Sequence, residues 1–378
     1  MRYTYRLRPG RSAAAALLAE WGRCRWLWNE AVHQQKSGQK PTFVRLGKLL
    51  TEARARLPWL RAGSQVAQQQ MLRDYAKALD RSFKVTRCGR PKVKSRKTSL
   101  PSLEYTARGF SIRDGRLVLP KGVTIPVVWS RELPSLPTSV RVYRDSLGHW
   151  YASFVIRREV EFHPPGQGSI GIDWGVSTTA TTTDPRFDLP YLGHRKRCAA
   201  ELAKAQRKMA RRRRKGGPQS RGYREAQRQT ARLARKATRQ TVHDSQVWAT
   251  RLVRTHDLIA VEDFEPAFLA KSTMARKAAD AAIGAAKRVL IERATRGGRT
   301  VVLVRPAYTT MTCSSCFARA KRLELHERDF RCEVCGFADS RDRNAARVIL
   351  AVAERGHVGV EDVRQSAHLL RGRGSVAV

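Results

Sequence analysis

The sequence predicts a multidomain α+β protein. Its 378 residues are more than one hydrophobic core usually supports, so we expect two or three compact units. Segments that alternate with period two, typical of strands, are mixed with segments whose apolar residues recur at intervals of three and four, typical of helices. Two C-x-x-C pairs late in the chain predict an additional small metal-bound unit.

The first half reads as strands with a helical stretch between them. In chain order its predicted segments are a strand (1–10), a helix (12–36), a second helix (64–84), a basic loop (86–99) and a series of short strands (102–160). The Pro- and Gly-containing segment 163–168 then predicts a domain boundary.

The second half alternates strands with helices. Its predicted segments are a β-hairpin (169–184), two very basic helices within 195–257 that are separated at 216–220, a buried strand (257–264), a helix (276–296), a strand (301–304) and a helix (342–354). The tail from Gly356 has little periodicity, so we expect it to be poorly ordered.

The charge of the chain predicts a polyanionic partner. Lys and Arg number 74 against 32 Asp and Glu, which gives a net charge of +42. Nucleic acid is the default partner for such a surface. An anionic membrane is the competing interpretation, but no apolar run approaches the roughly 18 residues of a spanning helix. The N-terminal residues do not resemble a signal peptide, so we expect a cytoplasmic protein.

Four cysteines form the most specific motif. Each C-x-x-C pair places two thiolates on one turn, and two such turns complete a tetrahedral site for structural zinc. The predicted ligands are Cys313, Cys316, Cys332 and Cys335. Free thiols or a redox pair are the alternatives. Gly336 follows the second pair, where positive φ is often needed, whereas Phe317 follows the first.

Three acids stand out in a chain with few of them. Asp173 and Glu262 end apolar strands, and Asp342 opens a helix. Brought together, they would bind hard divalent cations, and two magnesium ions could promote phosphodiester hydrolysis. Each also has an ordinary structural interpretation: a turn cap for Asp173, a partner of arginine for Glu262, and a helix N-terminal acid for Asp342.

Several motifs together resemble the TnpB family, the insertion-sequence-encoded, RNA-guided nucleases related to type V CRISPR effectors. The resembling segments, which occur in the family's order, are GIDWGVSTTAT, VEDF, CSSC…CEVCG and RDRNAARVIL, preceded by RYTYRLRPG, WGRCRWLWNEAV, GRPKVKSRK and VYRDSLGHWYASFVIR. The likeness covers about residues 1–353. It departs from the family at Phe317, where glycine is usual, and at Ser340, where an additional Asp is usual.

The resemblance implies a two-lobed RNA-guided DNA endonuclease. The implied parts are a β-barrel (1–11 and 100–162) with a helical insertion (12–99), an RNase H-like RuvC nuclease domain (169–311 and 337–354), a zinc ribbon (312–336) and a flexible tail (355–378). The catalytic acids would be Asp173, Glu262 and Asp342, with Glu262 favoured over Asp263 by strand alternation and by the family motif. The implied cofactors are two Mg²⁺, one structural Zn²⁺ and a guide RNA derived from the transposon end.

In such systems base pairing reads the target, and the protein reads a short flanking motif on double-stranded DNA. The cations that we expect to contact the nucleic-acid backbone are Lys92, Lys94, Arg96, Lys97, Arg211, Arg212, Arg213, Arg214 and Lys215. A polar helix face formed by Gln69, Arg73 and Lys77 is a candidate for contacts with DNA bases. For the nine cations, a merely solvated basic surface is the alternative.

Three other function classes compete with this interpretation. A transposase would use the same carboxylates to direct a 3′-hydroxyl, but no tyrosine nucleophile lies near a His-x-His pair. A non-cleaving RNA-guided repressor would lack one of the acids. A ribosomal-type RNA-binding protein would not need acids at strand ends. The oligomeric state stays open.

Overall fold

The computed structural model describes residues 1–38, 41–85, 88–157, 164, 166, 168–214, 216–264, 281–321, 323–324 and 326–363. The chain divides into two units, Met1–Glu159 and Val160–Val378. The division falls a few residues before the boundary predicted at 163–168. Among the described residues, no helix has both the length and the apolar character needed to cross a bilayer.

A seven-stranded antiparallel sheet forms one layer of the first unit. Its strands are β1 (Arg2–Leu7), β2 (Ser102–Thr106), β3 (Ser111–Arg113), β4 (Arg116–Leu119), β5 (Val123–Val128), β6 (Pro137–Arg144) and β7 (Trp150–Ile156). The order is β2-β6-β7-β1-β5-β4-β3, so the N-terminal strand is central. In the described ranges β2 and β3 are edge strands, and the closed barrel implied by the resemblance is not confirmed.

Helices of the first unit pack on this sheet. The helices of this unit are α1 (Arg11–Lys36), α2 (Phe43–Arg56), α3 (Pro58–Arg61) and α4 (Gln65–Lys84); α1 and α4 contact the strands, α2 packs on α4, and α3 packs on α2. The side chain of Ser64 accepts a hydrogen bond from the Ala67 amide and so caps α4. One continuous hydrophobic core contains both Tyr5 of the sheet and Leu72 of α4. The helical insertion and the sheet therefore fold as one unit.

The second unit contains a five-stranded mixed sheet. Its strands are β8 (Ser169–Trp174), β9 (Thr178–Thr182), β10 (Leu189–Pro190), β11 (Leu258–Glu262) and β12 (Thr300–Val304), in the order β10-β9-β8-β11-β12. The strands β8 and β9 form the predicted hairpin, while β11 runs parallel to both β8 and β12.

Helices pack on both faces of this sheet. The helices of this unit are α5 (His194–Arg197), α6 (Ala199–Arg211), α7 (Arg221–Thr255), α8 (Ile283–Arg296) and α9 (Arg341–Glu354), of which α5 and α6 pack on α7. Ser220 and Ser340 cap α7 and α9 by accepting hydrogen bonds from backbone amides. Residues 276–280 of the predicted helix over 276–296 lie outside the described residues.

Two further segments join the second unit. A two-stranded antiparallel sheet pairs β13 (Asp329–Arg331) with β14 (Ala338–Ser340). After α9, Val360 and Val363 are buried in the core that also contains Val352. Our prediction of poor order from Gly356 is therefore wrong for the part of the tail that the structure describes, because these two valines provide an apolar anchor that the flanking polar residues obscure.

Candidate active site, zinc centre and nucleic-acid surface

Two of the predicted acids lie at the ends of neighbouring strands. Asp173 is the penultimate residue of β8 and Glu262 is the last residue of β11, and they are only 5% and 6% exposed. Ile172 and Trp174 belong to the core on one face of the sheet, so alternation places Asp173 on the opposite face. Val261 belongs to the same core, which places Glu262 on the same face as Asp173.

The helix α9 covers that face and carries the third acid. A Cβ at Gly171 would lie 2.0 Å from the backbone oxygen of Ala346, so only glycine permits this close packing of α9 on β8. Asp342 precedes Ala346 by four residues and therefore shares its side of the helix. It is half-buried. The fold thus brings the start of α9 toward the end of β8.

The three carboxylates are close enough to influence one another. Burial, followed by the charges of Glu262 and Asp342, raises the pKa of Asp173 well above its ordinary value, with Arg341 opposing the shift. Burial raises the pKa of Glu262 to about 7, opposed by a backbone hydrogen bond from Trp174 and by Lys287. Carboxylates buried together in this way are costly unless a cation compensates them.

Such an all-oxygen donor set fits a hard divalent cation. The residues that could hold Mg²⁺ are Asp173, Glu262 and Asp342. Among the described residues, the four cysteines are the only group of three or more possible metal ligands whose ligand atoms all lie within 4.8 Å of one another. The carboxylate oxygens of the three acids are therefore farther apart than the cysteine sulfurs.

Asp263 lies beside Glu262 but has a different environment. Its carboxylate is half-exposed and accepts a hydrogen bond of 2.6 Å from Lys287 Nζ of α8. Lys287 also donates to the backbone oxygen of Phe264 at 3.5 Å, which fastens the end of β11 to α8. The burial of Glu262 and the ion pair of Asp263 support our choice between the two acids. Sequence reasoning missed Lys287, because nothing in its local pattern marks it.

The four cysteines form a cluster with the dimensions of a zinc site. Sγ of Cys313 lies 3.7 Å from Sγ of Cys335, and Sγ of Cys316 lies 3.6 Å from Sγ of Cys332. A disulfide would require about 2.05 Å, whereas Zn–S bonds of about 2.3 Å in a tetrahedron separate the sulfurs by about 3.8 Å. The cluster therefore fits one zinc ion bound by four thiolates.

Asn344 attaches the zinc ribbon to α9. Its side chain is fully buried, its Nδ2 donates to the backbone oxygen of Thr312 at 2.7 Å, and its Oδ1 accepts from the amide of Ser314 at 2.9 Å. These two residues flank Cys313. Asn344 is two residues after Asp342, so the start of α9 both carries the third acid and binds the zinc ribbon. The sequence motif contained this residue, but its role depends on contacts that only the fold reveals.

Phe317 takes the backbone conformation expected of the missing glycine. Its φ is +58°, close to the +73° of Gly336 in the matching position of the second pair. The guanidinium of Arg355 lies 4.1 Å from the centre of the Phe317 ring, a cation–π contact that glycine could not make. This contact offsets part of the backbone strain.

The arginine run that we proposed for backbone contacts is exposed. Arg211, Arg212, Arg213 and Arg214 lie at the end of α6 and in the following loop, and Lys215 lies outside the described residues. The side chain of Gln219 closes this loop by bonding both the amide and the carbonyl of Arg214. The run is therefore held in a defined turn.

The helix α7 carries a second basic surface. The sequence analysis counted its cations in the net charge but did not identify them as a surface of their own. These exposed residues recur every third or fourth position and are Arg221, Arg224, Arg228, Arg232 and Lys236. At 100° per residue they share one side of the helix and extend about 22 Å along it. The sequence contains this spacing, so a search for Lys and Arg at intervals of three and four residues would have predicted the surface.

In the first unit, the candidate base-reading residues Gln69, Arg73 and Lys77 are exposed on one side of α4. Of the cations proposed in the basic loop, Lys92, Arg96 and Lys97 are exposed. Lys94 differs from the expectation, because its ammonium group lies 3.4 Å from the centre of the Trp28 ring. This position does not fit a phosphate contact by Lys94 itself.

Comparisons with known proteins agree with this architecture. The family model described as "Cas12f1-like, TNB domain" matches residues 284–349, and the OrfB_IS605 model, described as "Probable transposase", matches residues 153–273. A solved Cas12f1–sgRNA–target DNA complex contains a chain with a similar fold, with a TM-score of 0.53 and 15% identity over 90% of this chain and 80% of that one. The fold is thus that of a Cas12f-like multidomain α/β protein.

Two curated relatives span almost the whole chain. A protein of Streptomyces pristinaespiralis, named as a candidate RNA-guided DNA endonuclease, is 32% identical over 390 residues, covering 99% of this chain and 94% of the relative. The candidate RNA-guided DNA endonuclease InsQ of Escherichia coli K12 is 27% identical over 376 residues, covering 92% and 91%. The chain belongs to the TnpB family.

Proposed function

We propose that this protein is an RNA-guided DNA endonuclease associated with a mobile element, which cleaves target DNA beside a short flanking motif. Family membership supports the guide RNA and the DNA target as partners. The observation that carries the proposal is the convergence of Asp173, Glu262 and Asp342 from two strands and a helix, each distant from the others in sequence.

We assign residues 169–311 and 337–354 as a RuvC-like nuclease domain and the three acids as its catalytic residues. Bound Mg²⁺ would supply water activation and stabilisation of the leaving oxygen. The protein's part is to hold the three carboxylates at one edge of the sheet. Trp174 contributes a backbone hydrogen bond that favours the charged forms of Asp173 and Glu262, although burial outweighs it in both groups.

The four-cysteine ribbon has a different role in this proposal. A site filled by four thiolates leaves no open position for water, so its zinc would be structural. Through Asn344 it would hold the start of α9, and with it Asp342, in place.

The two basic surfaces of the second unit, at 211–214 and along α7, would bind the backbone of the guide RNA or its duplex with target DNA. Cations in regular array suit phosphate neutralisation and need no base specificity. The exposed side of α4, with Gln69, Arg73 and Lys77, is our proposed contact with the flanking motif.

Cleavage assays on the protein purified with its guide RNA test this function. Asp173→Ala, Glu262→Ala and Asp342→Ala should each reduce cleavage at least about a thousandfold, because the loss of a metal ligand removes several kcal/mol of transition-state stabilisation. Target binding should persist. Asp263→Ala is the matched control, since the adjacent acid pairs with Lys287, and it should keep cleaving. Full cleavage by any of the three variants would remove that acid from the site.

A further inference from the structure

We propose that Lys94 is a positioning residue that fastens the described part of the basic loop (88–99) to α1 through a cage formed by Trp21, Trp28 and Met71, and so presents Lys92, Arg96 and Lys97 to a phosphate backbone. The inference rests on the proposed function for its nucleic-acid partner. Its structural part, the fastening of the loop, is independent of that function.

The ammonium group of Lys94 is enclosed by apolar and aromatic groups. Its Nζ lies 3.4 Å from the centre of the Trp28 ring, 5.5 Å from that of Trp21 and 3.7 Å from Sδ of Met71. A cation over the face of tryptophan gains about 1–2 kcal/mol when it is desolvated. Lys94 thus has the surroundings of a structural cation.

The neighbouring charges do not by themselves compensate for the burial of the Lys94 ammonium group. Burial lowers the pKa of Lys94 to about 8, and Asp74 opposes the shift while Arg141 adds to it. Asp74 itself is paired with Arg141 at 3.0 Å, so its charge is shared. The indole faces therefore supply much of the compensation for this cation.

Backbone hydrogen bonds hold the loop at the same place. Asn29 of α1 bonds both sides of the Lys94 backbone: its Oδ1 accepts from the amide at 2.8 Å and its Nδ2 donates to the carbonyl at 3.1 Å. Trp28 Nε1 donates to the carbonyl of Lys92 at 2.9 Å. The loop contains no helix or strand among its described residues, so its conformation is set by these contacts with α1 and by the hydrogen-bonded turn from Ser95 to Ser99.

The cations of this loop therefore have two different roles, phosphate contact and attachment of the loop to α1. The side chains of Lys92, Arg96 and Lys97 are exposed, whereas Lys94 is not free to leave its cage without disturbing the residues on either side. Loss of Lys94 should therefore cost the phosphate contacts of its neighbours, not merely one contact of its own.

Hydrogen exchange of the RNA-free protein tests the fastening directly. In Lys94→Met, which keeps the length of the side chain and removes the charge, the amides of the loop should exchange at least about tenfold faster than in wild type. This corresponds to about 1.4 kcal/mol of lost protection. Lys92→Ala should leave exchange unchanged. Lys94→Arg, which keeps a cation able to stack on tryptophan, should retain most of the protection.

Salt titration of RNA binding tests the consequence. Each phosphate contact contributes roughly 0.7 to the slope of log K against log salt for a single strand. We expect a loss of about 0.7 for Lys92→Ala and up to about 2 for Lys94→Met. A loss of only about 0.7 in Lys94→Met with normal exchange would show a direct contact by Lys94 and overturn the proposal, as would no change in either measurement.

Two further results separate the possible failures. If Lys94→Met does not fold, Asn29→Ala removes the backbone clamp alone, and it should also accelerate exchange in the loop; unchanged exchange in that variant would contradict the fastening. If wild type binds no RNA, the proposed function fails, while the exchange measurements still decide the role of Lys94.

Discussion

The indole Nε1 of Trp174 donates a hydrogen bond of 3.2 Å to the backbone oxygen of Glu262. This bond joins Trp174, the last residue of β8, to Glu262, the last residue of β11. The two strands that carry Asp173 and Glu262 are therefore tied together at that point. The Trp174 ring is itself buried against Trp248 at a centroid distance of 6.0 Å. Through Trp174, the spacing of the two acids depends on the core behind the sheet.

Trp174→Phe should loosen this tie while keeping an aromatic ring in the core. Loss of the bond and of some packing should cost about 1–3 kcal/mol of stability, and cleavage should fall more than target binding. Urea unfolding and cleavage rates measure both effects. Trp26→Phe is the control, because Trp26 makes no hydrogen bond through its ring among the described residues. Equal losses in both variants would contradict a specific role for the bond.

The metal-free protein should lose stability as the pH rises toward neutrality. Because burial raises the pKa of Glu262 from 4.5 to about 7, between these values the folded protein keeps a proton that the unfolded chain releases. The free energy of unfolding therefore falls with rising pH in this window. Glu262→Gln cannot titrate and should show a shallower fall, with Asp173 accounting for what remains. The check is urea unfolding of both proteins at pH 5 and pH 7.5 without magnesium. An equal fall in the free energy of unfolding between the two pH values would refute the prediction.

Purified protein should contain about one zinc ion per chain, as one closed four-thiolate site requires. Cys313→Ser should lose the zinc and unfold the ribbon, since structural zinc in such small units contributes roughly 10 kcal/mol or more of apparent binding free energy. Cleavage should fall with it, because Asn344 links the ribbon to the helix of Asp342. Metal analysis and circular dichroism give the result, with Cys88→Ser as control. Active protein without zinc would disprove the assignment.

Replacing Arg211, Arg212, Arg213 and Arg214 with alanine should weaken RNA and heteroduplex binding and flatten its salt dependence. Each lost phosphate contact should reduce the slope of log K against log salt by roughly 0.7–0.9. A variant with Arg108, Arg113, Arg116 and Lys121 changed to alanine loses the same charge from exposed sites in the first unit. A slope that changes equally in both would show a general charge effect only.

Gly171→Ala should be strongly destabilising. The added Cβ would meet the Ala346 carbonyl at 2.0 Å, and forcing α9 away from β8 should cost about 3 kcal/mol or more. Gly47→Ala is the opposite case, since this helical glycine has nothing within 4 Å of an added Cβ, and it should be neutral or stabilise by up to about 1 kcal/mol. Thermal unfolding of both variants provides the comparison. A stable Gly171→Ala protein would mean that α9 does not pack as described.

Much of the fold was predictable because its signals are local. The alternation of residues 1–10 and the apolar periodicity of α1, α4 and α9 depend on neighbours within a few positions, and each predicted element is present. The two C-x-x-C pairs were equally legible, since each pair forms one turn. The helix α2 was not predicted, although Leu46, Leu50 and Ala53 have helical spacing and are buried.

The sequence alone determined the elements, the charge and the cysteine ligands, whereas the tertiary structure decided how distant residues meet. Asp173, Glu262 and Asp342 belong to one edge only because β8 and β11 run parallel and Gly171 lets α9 approach. Lys94 looks like its neighbours in the basic loop, and only the fold shows that it is half-buried, with its ammonium group against the Trp28 ring. Local pattern records what one segment prefers, but burial and pairing depend on which other segment packs against it.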